Sequence, residues 1–193
     1  MDILVNVSVQ FFIYSIYLLT VNGYGNIFEK IFFKNLKVGF GEKNLFSFLI
    51  IYFIVLIINF ISPINIFLSS LFIIIGIVAG SKKKDFLKID KKFFAVIFFY
   101  CFVISITINI HDDAYWYQLP QINTLQNYKI VFGITNMNHF IYGQSFYDIM
   151  SIFQLPHYKN TFVYLIPIIF LNFFFHYLYE LSQNKKINQK MLF

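Results

Sequence analysis

The chain contains no arginine, so all fifteen of its cationic side chains are lysines. Its absence excludes sites that recognise carboxylate or phosphate groups through the planar, two-pronged guanidinium. Charged residues are only 12% of the sequence, against about a quarter in a typical soluble domain. The single cysteine, Cys101, lies in an apolar run, so it excludes an internal disulfide and is interpreted as a buried small hydrophobic residue. One cysteine and four scattered histidines also predict no metal cluster.

The sequence is rich in apolar residues, which make up 59% of it, and it contains five hydrophobic runs of 17 to 19 residues. A helix needs ~17–25 residues to cross a hydrocarbon core. The sequence therefore predicts an all-α, polytopic transmembrane bundle of about five spans, with residues 1–193 forming a single integral-membrane domain. The first run lacks a basic start and a small-residue cleavage site, so we interpret it as a retained span rather than a signal peptide. The predicted spans are 3–21, 45–61, 64–80, 93–110 and 161–179. Asn6 and Gln10 in the first span share a helix face, which is expected to look into the bundle. Ser62-Pro63 predicts a tight outer turn, so that spans two and three form an antiparallel helical hairpin.

The lysines set the predicted orientation. Thirteen of the fifteen lie between spans one and two, between spans three and four, or after span five, which a five-span chain places on one side. By the positive-inside rule that side is cytoplasmic, so the N-terminus faces out and the C-terminus faces in. Lysine runs in such flanks contact lipid head groups, and this position argues against nucleic acid as a partner.

Two regions outside the spans carry helical patterns. Residues 23–44 mix Phe, Ile and Lys at helical spacing and predict a helix on the inner membrane surface. The outer loop, 111–160, predicts two interfacial amphipathic helices joined by a polar turn. The first begins near Ala114, capped by an aspartate, and kinks at Pro120, or else it begins properly at Pro120. The second follows Gly143, with Phe146, Ile149, Met150 and Phe153 on one face. Together the two helices would make a lid over the outer end of the bundle.

The adjacent Asp112 and Asp113, directly after span four, are the main catalytic signal. A carboxylate at the outer surface can deprotonate an acceptor hydroxyl or help to hold a divalent cation. Neighbouring residues on a helix do not face each other, so at most one is expected to carry chemistry. The alternative is that both are a solvated helix start. Other titratable residues are expected to be structural: Asp148 as a solvated helix flank, His176 as a packed or interfacial histidine, and Glu180 reaching back to water.

The run Asp113-x-x-x-Tyr117-Gln-Leu-Pro-x-Ile122, followed by Val131-x-Gly133-x-x-Asn136, resembles the outer loop of a group of large bacterial polytopic membrane proteins. The start of the chain, through Val21-Asn-Gly23, is also similar to theirs. That group is in turn similar to the GT-C glycosyltransferases, which use polyprenyl-phosphate sugars and place an essential acidic residue in an outer loop. The resemblance implies a place in the bacterial inner membrane, in surface-polysaccharide assembly.

Carried over by position, Asp113 matches the acidic residue, with Asp112 beside it. The substrate-binding positions that the resemblance implies are Lys129, Tyr117, Gln118, Asn136 and His139. The pattern usually has His where this chain has Gln118, and His139 lies one position beyond a second common His. Family members continue for many more spans, so the chain resembles their N-terminal portion.

Two functions remain open. In the first, the chain is all or part of a membrane glycosyltransferase with membrane lipid and a polyprenyl-phosphate sugar as partners and a divalent cation as the one cofactor to consider. In the second, it is a non-catalytic membrane subunit, or an inactive fragment, with a second chain supplying further spans.

Overall fold

A computed structural model describes residues 3–33, 38–81, 90–107, 119–129, 145–153 and 164–190. These residues form seven α-helices and no β-strand, which confirms the predicted all-α class. The helices are α1 (Ile3–Phe32), α2 (Phe40–Ile61), α3 (Ile66–Ser81), α4 (Lys91–Thr107), α5 (Leu119–Asn127), α6 (Ser145–Ile152) and α7 (Leu165–Lys190).

Helix α1 lies at the centre of the bundle, because it contacts α2, α3, α4 and α7. Its residues Tyr14, Tyr17 and Val21 are completely buried. Helix α7 packs against α2 and α4, and the buried side chains of all these helices form one continuous core. The polar Gln10, predicted to face the bundle, does so by contacting α4, whereas Asn6 one turn earlier is exposed.

Glycines allow α1 and α3 to approach closely. A Cβ atom at Gly23 would overlap the carbonyl group of Gly76, and one at Gly80 would press on the backbone of Leu19. Small residues at a helix crossing let the backbones pack directly against each other, as is common between helices in membranes. Tyr24 closes the contact by stacking on Phe72 with ring centroids 4.2 Å apart.

Contacts between helices define two ends of the bundle. At the first end, Phe40 of α2 lies against α7 at Glu180, and Phe93 of α4 stacks on Tyr179 of α7 at 4.0 Å. The lysine-rich segments of the sequence adjoin the helix termini at this end, which we call the lysine end. The opposite end, where α5 and α6 pack, is called the crown end.

The predicted surface helix over residues 23–44 is wrong. Residues 23–32 continue α1 without a break, and residues 40–44 form the first turn of α2. Lys43 and Asn44 are buried there, because they hydrogen-bond to Asn26 and Asn22 of α1. The predicted apolar face is not the covered one, since Ile31 and Phe32 are 60% and 64% exposed.

The other helices follow the predicted hydrophobic runs with shifted bounds. Helix α2 begins five residues earlier than predicted, at Phe40, and α7 continues past the predicted end to Lys190. The tight turn predicted at Ser62-Pro63 is present, since α2 ends at Ile61 and α3 begins at Ile66. Helices α2 and α3 run back to the same end of the bundle as the predicted antiparallel hairpin requires, since Lys43 and Ala79 both contact Asn26 of α1. Between their ends, α2 packs on α1 and α7, and α3 packs mainly on α1.

Among the described residues, two helical segments are both long and apolar enough to cross a membrane: Phe40–Ile61 and Leu165–Gln183. Helix α3 is apolar but shorter. Only 33% of the most apolar stretch of the first segment and 39% of the second is buried within the protein. A core helix of a soluble protein is mostly buried, so these two helices point towards membrane association.

Candidate functional site

Helices α5 and α6 pack together at the crown end, and we call this pair the crown. Leu119 and Ile122 of α5 are buried, as are Ile149, Met150 and Ile152 of α6. The side-chain amide of Gln126 donates a hydrogen bond to the Ser151 carbonyl oxygen at 3.0 Å and joins the two helices. The crown is therefore a packed part of the fold and not a loose connection between spans.

The end of α5 is tied to the turn between α2 and α3. The Asn59 amide nitrogen donates to the carbonyl oxygens of Leu125 at 2.9 Å and Tyr128 at 3.1 Å. The backbone N–H of Ile64 also donates to Leu125 O at 3.0 Å. The last carbonyl groups of a helix have no partner within it, so these donors satisfy groups that α5 leaves open.

The crown reaches into the bundle through the residue that follows α6. Phe153 is completely buried, packs edge-on against Tyr17 and Phe72, and accepts a hydrogen bond from the Tyr17 hydroxyl on its carbonyl oxygen. These contacts connect the crown to the centre of α1 and to α3, so the crown cannot shift without disturbing the core.

The predicted crown helices are present in modified form. Within the described residues α5 begins at Leu119, with Pro120 in its first turn. The segment before Leu119, which decides between a start near Ala114 and a start at Pro120, lies outside the described residues. Helix α6 follows Gly143 as predicted, and the predicted apolar residues Ile149, Met150 and Phe153 are buried. Their burial shows that the predicted apolar face of α6 is turned towards protein, as expected for a lid over the end of the bundle.

One predicted site residue falls in the described part of the chain. Lys129 is exposed and directly follows Tyr128, whose carbonyl oxygen is held by Asn59. Its ammonium group is thus carried on the anchored end of α5. The other predicted residues lie outside the described residues: Asp112, Asp113, Tyr117, Gln118, Asn136 and His139.

Asp148 of α6 is a crown carboxylate whose environment differs from the predicted solvated flank. It is half-buried, and burial raises the pKa of its carboxyl group to about 6, because a charged carboxylate loses hydration there. A carboxyl group that titrates in this range can exchange a proton close to neutral pH. The sequence signal was weak: Asp148 has apolar neighbours on both sides, but their spacing does not show how α6 turns towards α5.

Glu180 and Lys43, at the lysine end, are also placed differently from the prediction. Glu180 does not reach back to water; its carboxylate accepts hydrogen bonds from the backbone N–H groups of Phe40 at 2.6 Å and Gly41 at 3.1 Å. The Lys43 ammonium donates to Asn26 Oδ1 at 2.7 Å and lies 3.8 Å from a Glu29 carboxylate oxygen. Glu180 thus connects α7 to α2, and Lys43 connects α2 to α1.

Metal-binding clusters are absent from the described ranges, where no group of three or more His, Cys, Asp or Glu side chains could hold an ion. Comparisons with protein-family models, curated proteins and solved structures found no match to this chain. The likeness to GT-C glycosyltransferases therefore stays a prediction from the motif residues of the outer loop.

Proposed function

We propose that the chain is a multi-pass protein of the bacterial inner membrane in which α1, α2, α3, α4 and α7 cross the bilayer. The observation that carries this proposal is the number of large apolar side chains exposed on the outer surface of the helices. The side chains that α2 turns outward include Leu49, Phe53, Ile57, Phe60 and Ile61, each 55–75% exposed. Helices α3 and α4 likewise expose large apolar residues such as Phe67 and Val96. An apolar surface of this extent on a monomer indicates a membrane or a partner.

Polar side chains are turned to the interior instead. Asn22, Asn44, Asn59 and Asn172 are at most 1% exposed, although asparagine is mostly a surface residue in soluble proteins. In hydrocarbon an amide finds partners only within the protein, so interior placement is favourable there. Apolar outside and polar inside is the arrangement that a lipid surrounding favours.

The difference between the two ends of the bundle supports one orientation in the membrane. The lysine-rich segments adjoin the lysine end, and the crown lies at the opposite end. The positive-inside rule then puts the crown outside the cell membrane. This matches the sidedness required of an enzyme that takes lipid-linked sugars at the outer face.

The orientation is tested by cysteine labelling with a membrane-impermeant maleimide. Lys129→Cys should react in intact spheroplasts, whereas Ser81→Cys, exposed at the lysine end, should react only after permeabilisation. Native Cys101 is completely buried and gives little background. Labelling of Ser81→Cys in intact spheroplasts, with Lys129→Cys protected, would contradict the proposal.

For the activity, we propose transfer of sugar from a polyprenyl-phosphate donor at the crown, with Asp113 as the base or cation-holding acid. The support is the outer-loop resemblance together with the anchored helix α5, which begins six residues after Asp113 and ends two residues before Lys129. Lys129, on the anchored end of α5, can meet the phosphate of the donor. Asp148 is a carboxyl group on the crown itself.

Neighbouring aspartates provide a matched test of the activity. Asp113→Asn should abolish the surface polysaccharide made by cells that depend on this chain, whereas Asp112→Asn should leave most of it. Both variants should reach wild-type abundance in membranes. Polysaccharide that is unchanged in both variants would contradict the catalytic proposal.

A non-catalytic membrane subunit is the second candidate, and one feature favours it. A lateral groove on α2 is lined by Phe53, Leu56, Ile57, Phe60 and Ile61, and its wall is almost wholly apolar. A helix of a second chain fits such a groove through van der Waals packing. Cross-linking from Ile57→Cys to another protein, combined with activity that survives Asp113→Asn, would favour this candidate.

A further inference from the structure

The interface of α1, α4 and α7 carries polar side chains at intervals of four residues. Residues four apart lie on the same face of a helix, about 6 Å apart along its axis. Each of the three helices thus presents a polar stripe to the others. We call the set the polar ladder; its members are Gln10 and Tyr14 of α1, Cys101 and Ser105 of α4, and Asn172 and His176 of α7.

The rung nearest the crown end joins α1 to α4. The side-chain amide of Gln10 donates to the Ser105 carbonyl oxygen at 2.7 Å and to its hydroxyl oxygen at 3.2 Å. Gln10 is half-buried, and Asn6, one turn further out on α1, is exposed. This rung therefore lies next to the surface at the crown end.

The middle rung joins all three helices. The Asn172 amide nitrogen donates to the Tyr14 hydroxyl oxygen at 3.2 Å, and the Cys101 thiol contacts both groups. Tyr14, Cys101 and Asn172 are completely buried. The middle rung lies one helical turn from the first rung on both α1 and α4.

His176 forms the inner rung, one turn beyond Asn172 on α7. It is 2% exposed, and the rings of Phe40, Phe93 and Phe94 surround it at centroid distances of 5.2–5.4 Å. One further turn along α7, the half-buried Glu180 brings a carboxylate to the lysine end. The ladder thus extends from one end of the bundle towards the other.

Two atoms of the ladder lack partners among the described residues: Asn172 Oδ1 and His176 Nε2. Buried polar atoms almost always have a hydrogen-bond partner, either protein or ordered water. The turn-to-turn spacing of about 6 Å is too long for a direct hydrogen bond but suits one bridging water molecule. Both unpartnered atoms lie on the same face of α7: Asn172 Oδ1 accepts hydrogen bonds, and His176 Nε2 accepts or donates according to its tautomer, so bridging waters can pair with both.

We propose that the polar ladder is a proton path through the membrane, with His176 as the residue that binds the proton in transit. Neutral His176 accepts a proton from water on one side and becomes an imidazolium ion. It then releases one proton to the other side and returns to the neutral form, so charge and atoms balance. The driving force is the proton gradient or the electrical potential across the membrane.

Charged groups of the elements packed around His176 all lie towards the lysine end. A carboxylate there can collect or release protons at the cytoplasmic mouth of the path. These groups are Glu180 on α7, Glu42 and Lys43 on α2, and Asp90, Lys91 and Lys92 at the start of α4. The proposal depends on membrane embedding but not on sugar transfer, so it stands or falls apart from the enzymatic activity.

The test is proton flux into liposomes that contain the purified full chain and a trapped pH-sensitive dye. A potassium gradient with valinomycin imposes the potential, and flotation confirms incorporation of the chain. Wild-type liposomes should acidify at least tenfold faster than protein-free liposomes. His176→Phe, which keeps a ring among the three phenylalanines, and His176→Gln, which hydrogen-bonds but does not bind a proton at neutral pH, should both fall to the protein-free rate.

Two matched tyrosine substitutions distinguish loss of a ladder hydroxyl from a general disturbance of the fold. Tyr14→Phe removes a ladder hydroxyl and should slow the flux severalfold. Tyr100→Phe removes the hydroxyl of a side chain that is 54% exposed on α4 and should have no effect. Wild-type flux equal to the protein-free rate, or wild-type flux retained in incorporated His176→Gln, would overturn the proposal and leave the ladder as interhelical hydrogen bonding alone.

Discussion

The carboxylate of Glu180 on α7 provides the N-terminal cap of α2, since its Oε1 atom lies 2.6 Å from the backbone nitrogen of Phe40. The residue before α2 is Gly39, which has no side chain to cap the helix. A Cβ atom at Gly39 would overlap the Glu180 carboxylate, so glycine leaves room for a cap from another helix. By contrast, α4 is capped within its own segment by Asp90, whose carboxylate accepts from Lys92 N and Phe93 N. These bonds lower the pKa of the Asp90 carboxyl group.

Removing the cap from α2 should loosen its contact with α7. Glu180→Ala should lower the free energy of unfolding by about 1–3 kcal/mol, because two backbone donors lose a charged acceptor. Glu180→Gln, which keeps one acceptor oxygen, should lose less. Thermal unfolding in detergent measures both. Equal stability of Glu180→Ala and wild type would show that the cap contributes nothing.

Substitution of glycine at the crossing of α1 and α3 should separate these helices. Gly23→Ala places a methyl group on the Gly76 carbonyl group, and overpacking of this kind costs roughly 1–3 kcal/mol or more. Ser81→Ala, at an exposed position on α3, is the control and should be neutral. The check is the midpoint of thermal unfolding; a Gly23→Ala midpoint equal to that of the control would refute the close crossing.

The crown should detach locally when its tie to α2 is removed. Asn59→Leu deletes two hydrogen bonds to the end of α5, each with a net value of about 1 kcal/mol, and leaves the carbonyl groups of Leu125 and Tyr128 short of donors. Hydrogen exchange of residues 119–129 should become about tenfold faster or more. Asn127→Ala removes a hydrogen bond only within α5 and serves as the control. Unchanged exchange in Asn59→Leu would contradict the tie.

Stability should depend on pH through Asp148. Its pKa is about 6 in the folded protein against an ordinary value of 3.8, so the folded state holds the proton more tightly. The stabilisation from this group is complete below about pH 4 and is lost as pH rises through about 6. Asp148→Asn should flatten unfolding profiles over this window and stabilise the crown at neutral pH. Profiles of the variant and wild type that remain parallel from pH 4 to 7 would exclude a buried carboxyl group.

Much of the helical layout could be predicted from local pattern. The hydrophobic runs marked α2, α3 and α4 to within five residues, because hydropathy depends on side chains close together in the sequence. The continuation of α1 through Gly23 and Gly25 was missed. Glycine disfavours an isolated helix, but here both glycines face neighbouring helices that fill the space.

The candidate site was predictable only in part. Lys129 was recognised from its loop, but its position depends on the contact between Asn59 and Tyr128, which are 69 positions apart. The side chains of Asp148 and Glu180 were both predicted to face water. The structure partly buries the first and uses the second as a cap, because a single helix does not show which of its faces a distant helix covers. Asp112 and Asp113 stand out in sequence alone and lie outside the described residues.

The sequence by itself determined that this protein is helical, rich in apolar runs and asymmetric in the placement of its lysines, because hydropathy and charge are properties of local composition. Only the tertiary structure decided which polar groups meet: Glu180 with the start of α2, Asn59 with the end of α5, and Tyr14 with Asn172. The physical reason is that these meetings depend on the rotation and crossing of helices, which packing and glycine contacts set across the whole chain.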